Sequence, residues 1–172
     1  MKMKRSRVLS VGIVVLIALL TLAGCGSSDG GGSAGDLELQ LDLAELSEKA
    51  LDAGEYQYEM VALDTGKIDR VYINLDVNLL EDACVNVESS RSNADEFTAF
   101  KVKDEADIDA VKGAIDSYVS TLLSEVESYN PEQVPRINNA LTFTHGKYIF
   151  FVISDNNSAV QKAVNDYVKE SK

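Results

Sequence analysis

Tyr148-Ile149-Phe150-Phe151-Val152-Ile153 is the stretch whose reading decides the fold. A strand with one wet face alternates apolar and polar residues. A strand covered on both faces reads as a continuous apolar run. The run at 148–153 therefore predicts a central strand with structure packed above and below it. Just before it, Leu141 to Thr144 is a second strand, separated from 147–153 by His145-Gly146. A two-residue loop with glycine second suits a tight hairpin.

Working outward, Ala83 to Ser89 places Ala83, Val85 and Val87 on one face of a strand. Glu96 to Lys103 is another, and the polar 89–95 stretch makes the two a hairpin with a longer loop. Asp104 caps a long helix over 105–128. Its apolar stripe is Ile108, Val111, Ile115, Tyr118, Val119, Leu122 and Val126, and Asn130-Pro131 ends it. After the central strand, Val160, Ala163, Val164, Tyr167 and Val168 form a terminal helical stripe with Asn157 or Ser158 as cap. Towards the N-terminus, Asp36 to Leu43 alternates, without enough length to predict a paired strand. A helix starts at Asp42 with Glu45 in a capping-box arrangement, buries Leu43, Leu46, Ala50 and Leu51, and stops at Gly54. Between 55 and 75 the pattern is weak: an extended piece over Met60–Leu63 and a short helix over Thr65–Tyr72 with Ile68, Val71 and Tyr72 inward. Asp76 to Asp82 reads as a turn. There is no internal repeat. The fold class expected is α+β: one domain over 37–172, with an antiparallel or mixed sheet of about four strands and the long and terminal helices packed on it. Two strand–helix units resemble part of a ferredoxin-like layout.

The N-terminus has another character. Lys2, Lys4, Arg5 and Arg7 precede an apolar core from Val8 to Ala23, and small residues lead to a cysteine. These are the parts of a secretory signal over residues 1–24, and the run is shorter than the roughly 20 apolar residues of a membrane span. Leu22-Ala23-Gly24-Cys25 resembles the bacterial lipobox, whose cysteine receives diacylglyceryl before the chain is cut ahead of it. Two acyl chains give stable attachment where one gives only reversible binding. Residues 25–36 are then the lipidated cysteine and a tether, with GSSDGGGSAG over 26–35. Ten such residues reach about 17 Å. The partner expected is the membrane, through Cys25, and the location is its extracytoplasmic face.

Sixteen basic residues stand against 28 acidic ones. Four of the basic residues lie in the leader, so the mature part carries a net charge of about −16. Nucleic acid and anionic lipid both need clustered Lys or Arg, and neither is an expected partner. With Cys25 acylated, Cys84 is the one remaining cysteine, which excludes an intrachain disulfide framework. It reads as a small buried hydrophobe.

From Asn93 onward the chain resembles a family of bacterial lipoproteins described only as domain of unknown function 4358. The matching pieces are Ala94-Asp95-Glu96, Phe100-Lys101-Val102-Lys103-Asp104, Tyr129-Asn130-Pro131-Glu132, Asn139-Ala140, Gly146-Lys147-Tyr148 and Ile153-Ser154-Asp155. The likeness covers the last 80 or so residues well and the earlier part loosely. The lipobox and tether also resemble that family, whose members are mostly anchored outside Gram-positive cells. It has no assigned activity, so the resemblance implies location and fold and no mechanism.

Catalytic material is scarce. His145 is the one histidine, and a Ser-His-Asp or Cys-His site must use it; turn geometry explains it better. Cys84 has no basic neighbour in sequence to lower its pKa. A zinc site built mostly of carboxylates is unusual. Asp155, Asn156 and Asn157 offer calcium ligands without the twelve-residue loop spacing, and the start of a helix explains them. No catalytic, cofactor or metal site is assigned. Asp95 and Glu96, which open a strand, are the first candidates for a ligand site. The function expected is a lipid-anchored binding or interaction module for an envelope protein or cell-wall ligand. The alternatives are a cell-envelope hydrolase with paired carboxylates about 5–10 Å apart and a helper for exported proteins.

Overall fold

The computed structural model describes residues 38–90 and 93–172. The expected signal peptide, lipobox with Cys25 and tether lie outside the described residues.

The fold is α+β. Five strands form one antiparallel sheet in the order β1-β2-β3-β5-β4, with β1 at Met60–Ala62, β2 at Leu80–Glu88, β3 at Glu96–Val102, β4 at Leu141–His145 and β5 at Tyr148–Ile153. All six residues of β5 and all seven of β3 are buried. The two pair from Glu96↔Ile153 to Lys101↔Tyr148 and form the centre of the sheet. β3 and β4 run parallel with β5 between them, so β3, the long helix and β4 make a split β-α-β unit.

Helices cover both faces. One core holds Val85, Val87, Phe100, Val102, Ile149, Phe151 and Ile153 from the sheet. Over it lie α3 (Ile108–Tyr129), the one-turn α2 (Ile68–Val71) and α4 (Val134–Asn138). The other core holds Phe97, Ala99, Tyr148, Phe150 and Val152 under α1 (Leu43–Ala53) and α5 (Asn157–Glu170). The two sets alternate along each strand, which is the period of a pleated sheet.

Several boundaries differ from the sequence reading. The sheet has five strands because the extended piece at Met60 pairs with β2, Met60↔Glu88 to Ala62↔Asn86. β2 starts three residues before Ala83. A register shift between Leu80 and Asp82 breaks its alternation, and this hid its start. The hairpin turn is Gly146-Lys147, with glycine first at φ +52°, because His145 still pairs with Tyr148. Asn156, rather than Asn157 or Ser158, caps α5, accepting the Ala159 N–H. Asp42 caps α1, accepting from Ala44 and Glu45. Residues 38–42 cross one end of the sheet without pairing. The Leu41 N–H donates to the Tyr148 hydroxyl at 3.0 Å, and Lys147 pairs with Glu38 at 2.7 Å. α4, which the sequence reading missed, is too short to show a period.

Phe150 is fully buried, stacked on Phe143 with ring centroids 5.1 Å apart. Phe150→Ala is expected to cost about 3–5 kcal/mol in urea unfolding. A loss under about 1 kcal/mol would mean that this face of β5 is not packed.

Candidate functional site

The buried acidic residues of the sheet and of the turn before β3 gather at one end, where β2 finishes and β3 begins. Glu88, Asp95 and Glu96 are each no more than 2% exposed. Burying a charge costs heavily unless it is paired and hydrogen-bonded, so the partners define what each residue does.

Glu96 opens β3 beneath α2 and α3. Tyr118 donates its hydroxyl to Glu96 Oε2 at 2.6 Å. Tyr72 and Thr98 donate to Oε1, Thr98 at 2.7 Å. The two phenol rings lie against each other, centroids 4.6 Å apart, and Tyr72 also meets Phe100 edge-on at 5.2 Å. Burial, with the nearby Glu96 charge adding to it, raises the Tyr72 pKa well above its usual value, so this phenol stays a neutral donor.

Asp95 has a different occupation. One oxygen accepts the Gln57 N–H at 2.8 Å and the other pairs with Arg136. Arg136 also reaches Asp155 at 2.6 Å and Gln133 at 2.9 Å. This guanidinium ties the head of β3 to α4 and to the turn after β5. Burial opposes ionisation of Asp155, but hydrogen bonds from Arg136 and Gln57 and the Arg136 charge outweigh it, so its pKa lies below the usual value. The Tyr56 hydroxyl is buried without a hydrogen-bond partner; burial first, then the Asp95 charge, raises its pKa. Glu88 accepts the Ser90 N–H at 2.7 Å and the Ser90 hydroxyl at 3.0 Å.

Beside this network lies a pocket of about 140 Å³. Glu88, Asp95, Glu96 and Glu125 contribute acids, Arg70 a cation, Tyr118 a phenol, and Val87 and Leu122 apolar wall. Ile73, 77% exposed, and Tyr129, 58% exposed, also line it. Exposed Arg70, Thr121 and Glu125 share that margin, so a mixed rim surrounds a polar interior.

The structure brings Asp95 and Glu96 to one pocket but gives them separate roles: Asp95 is committed to Arg136, while Glu96 is held by hydroxyls. Sequence reasoning missed Glu88, Tyr118 and Arg136 as site residues. Tyr118 was read only as part of an apolar stripe. Its hydroxyl was the available signal, since a buried Tyr hydroxyl usually finds a partner. His145 and Cys84 do not join the site. His145 ends β4, where its Nε2 meets Asn165 Oδ1 at 2.6 Å. It pairs with Tyr148, which in turn faces Lys101, five residues along β3 from Glu96 and roughly 17 Å at strand rise. Cys84 packs in the opposite core and receives Asn86 Nδ2 at 3.3 Å. Asp155 is taken by Arg136, Asn156 by the cap of α5, and Asn157 by the Ser154 N–H and the Asn139 carbonyl. Among the described residues no three His, Cys, Asp or Glu side chains cluster to hold a metal ion.

The chain matches the family described as Domain of unknown function (DUF4358) over residues 52–154, and it belongs to that family. The match begins in α1 and ends just after β5. It therefore takes in 52–92, where the sequence reading saw only a loose likeness, and omits α5. The pocket lies wholly within it. No curated protein matches the chain, and no solved structure does.

Tyr72→Phe removes one donor from Glu96 without changing the ring. It is expected to lower stability by about 1–3 kcal/mol in urea unfolding. An unchanged midpoint would show that the hydroxyl does not hold the carboxylate.

Proposed function

We propose that this protein is a lipid-anchored extracytoplasmic binding module, and that the pocket at the head of β3 receives its ligand. The observation that carries the anchoring is the placement of Leu22-Ala23-Gly24-Cys25 at the end of a charged, then apolar leader. Support for the pocket is its construction. Small-molecule sites are concave and place polar groups that fix the ligand's orientation. Here exposed Ile73 and Tyr129 accompany the interior donors and acceptors around Glu96. The ligand is an envelope protein segment or a cell-wall fragment with a polar group for the interior and an apolar part for Ile73 and Tyr129. The acidic surface favours a module carried in the envelope over one bound to nucleic acid.

The second reading is a cell-envelope hydrolase, because three buried carboxylates line one pocket. A general acid must carry a proton to the leaving group. Asp95 is engaged by Arg136 and Gln57, and Glu96 accepts three hydroxyls. Those engagements favour binding over proton transfer. A helper for exported proteins is the same module with an unfolded segment as ligand.

In cells, the wild-type chain is expected in the membrane fraction and labelled by fed palmitate, whereas Cys25→Ala loses the label and the membrane attachment. A Cys25→Ala protein still firmly membrane-bound after signal removal contradicts the anchor. Crosslinking on intact cells then tests the pocket. Ile73→Glu, a change at an exposed position, is expected to remain anchored and to lose at least about tenfold of any protein partner that the wild type captures over an unrelated lipoprotein. Equal capture by both would place the binding surface elsewhere.

A further inference from the structure

The polar groups lining the pocket at the head of β3 divide into two sets. Those of the floor are already engaged. Glu96 accepts three hydroxyls, Asp95 pairs with Arg136 and accepts the Gln57 N–H, and Glu88 accepts both donors of Ser90. The mouth is built differently. Arg70 on α2 and Glu125 on α3 are exposed and line it from separate elements. Neither makes an ion pair or a hydrogen bond among the described residues. Asn93 accepts from Asn130 through Oδ1 at 3.2 Å, and its Nδ2 has no acceptor among the described residues. Tyr129 ends α3 at the same mouth, 58% exposed.

Size limits the occupant. A volume of about 140 Å³ is less than half of the roughly 300 Å³ at which drug-sized sites begin. One ring or one side chain enters, and a longer segment does not. Charge limits the occupant further. A ligand carboxylate would face Glu88 and Glu96, and like charges sharing a site repel. A ligand ammonium would be drawn to those acids but must shed its water. Its three N–H donors would also compete with the hydroxyls and amides that already hold the carboxylates. A wholly apolar group would strip water from the same carboxylates and offer them no hydrogen bond in return. A neutral group rich in donors and acceptors avoids all three costs. A sugar ring is such a group. Each of its hydroxyls both donates and accepts, and its C–H face lies flat on an aromatic ring. An Asn or Gln side chain has donors and an acceptor but no such face.

We propose that, on the reading of this pocket as the ligand site, it takes one neutral sugar ring of a glycan. The C–H face of the ring lies on Tyr129. Arg70 and Asn93 donate to its hydroxyl oxygens, and Glu125 accepts from its hydroxyls, so that the unpaired groups of the mouth gain partners without a new charge entering above the floor.

Amide NMR titration of the isotope-labelled full-length protein in detergent micelles tests this. The probes are tetramers of glucose, mannose and N-acetylglucosamine. Tetramers of protonated glucosamine and of galacturonic acid are their cationic and anionic counterparts. At least one neutral tetramer is expected to shift the amides of Asn93, Leu122 and Tyr129 saturably, with an affinity at least about fivefold above that of either charged tetramer. Tyr129→Ala is expected to weaken this binding at least about tenfold, and Tyr129→Phe less than about twofold, because the ring and not its hydroxyl is the platform. Melting curves like that of the wild type establish that both variants fold. Shifts of these amides by a charged tetramer alone would overturn the neutral sugar and leave the pocket as the ligand site. Shifts by a neutral tetramer only outside the pocket would overturn the pocket reading as well. No shift from any tetramer, or equal weakening by Tyr129→Phe and Tyr129→Ala, would overturn the proposal.

Discussion

Two neighbouring strands with no exposed residue set the terms for everything else. β3 and β5 are buried along their whole length, so neither can sit at an edge and neither face of the sheet can be left to water. The burial of apolar surface is the dominant favourable term in folding. Here it is satisfied only if helices arrive from both sides. α3 supplies one cover, and α1 with α5 the other. β1 and β4 become edges because their residues tolerate partial exposure.

The same constraint creates the site. β3 is not wholly apolar: Glu96, Thr98 and Lys101 are carried into the interior by their place in the strand. Each must then find a partner, because an unsatisfied buried polar group costs about 1–3 kcal/mol and more if charged. Thr98 and two phenols answer Glu96. Glu81 and Gln40 answer Lys101 at the opposite end, at 2.7 and 2.9 Å. A buried ion pair such as Asp95–Arg136 is weak evidence for net stability, but breaking it by removing one partner leaves an uncompensated buried charge. It locks the head of β3 to α4. The segment 38–42 joins the domain beside Lys101 and Lys147, so the chain enters at one end of the sheet and the pocket opens at the other.

Much of the architecture was legible because burial writes itself into sequence periodically. The unbroken run at 148–153 announced a strand covered twice, and the three- and four-residue steps from Ile108 to Val126 announced the long helix. What stayed hidden had a local physical cause. The shifted register at Leu80–Asp82 broke the alternation that marks a strand. The turn moved by one residue because cross-strand pairing held His145 in β4. Asp95 and Glu96 stood out as acids opening a strand, but their different roles depend on Arg136 and Tyr118, which lie 41 and 22 residues away. No spacing rule links residues so distant. Such a pocket becomes visible only when folding brings them together.

The central claim is that the pocket stands on the most rigid part of the molecule, the doubly covered pair β3–β5, and so is formed before any ligand arrives. Native-state hydrogen exchange tests this most directly, since amides in the best-packed strands open only with global unfolding. The account predicts that amides of 97–102 and 148–153 exchange slowest, together, at the global unfolding free energy. Those of β1 should exchange faster by orders of magnitude. Fast exchange across 97–102 would contradict it, showing that Glu96 and its hydroxyl partners rest on a strand that opens locally.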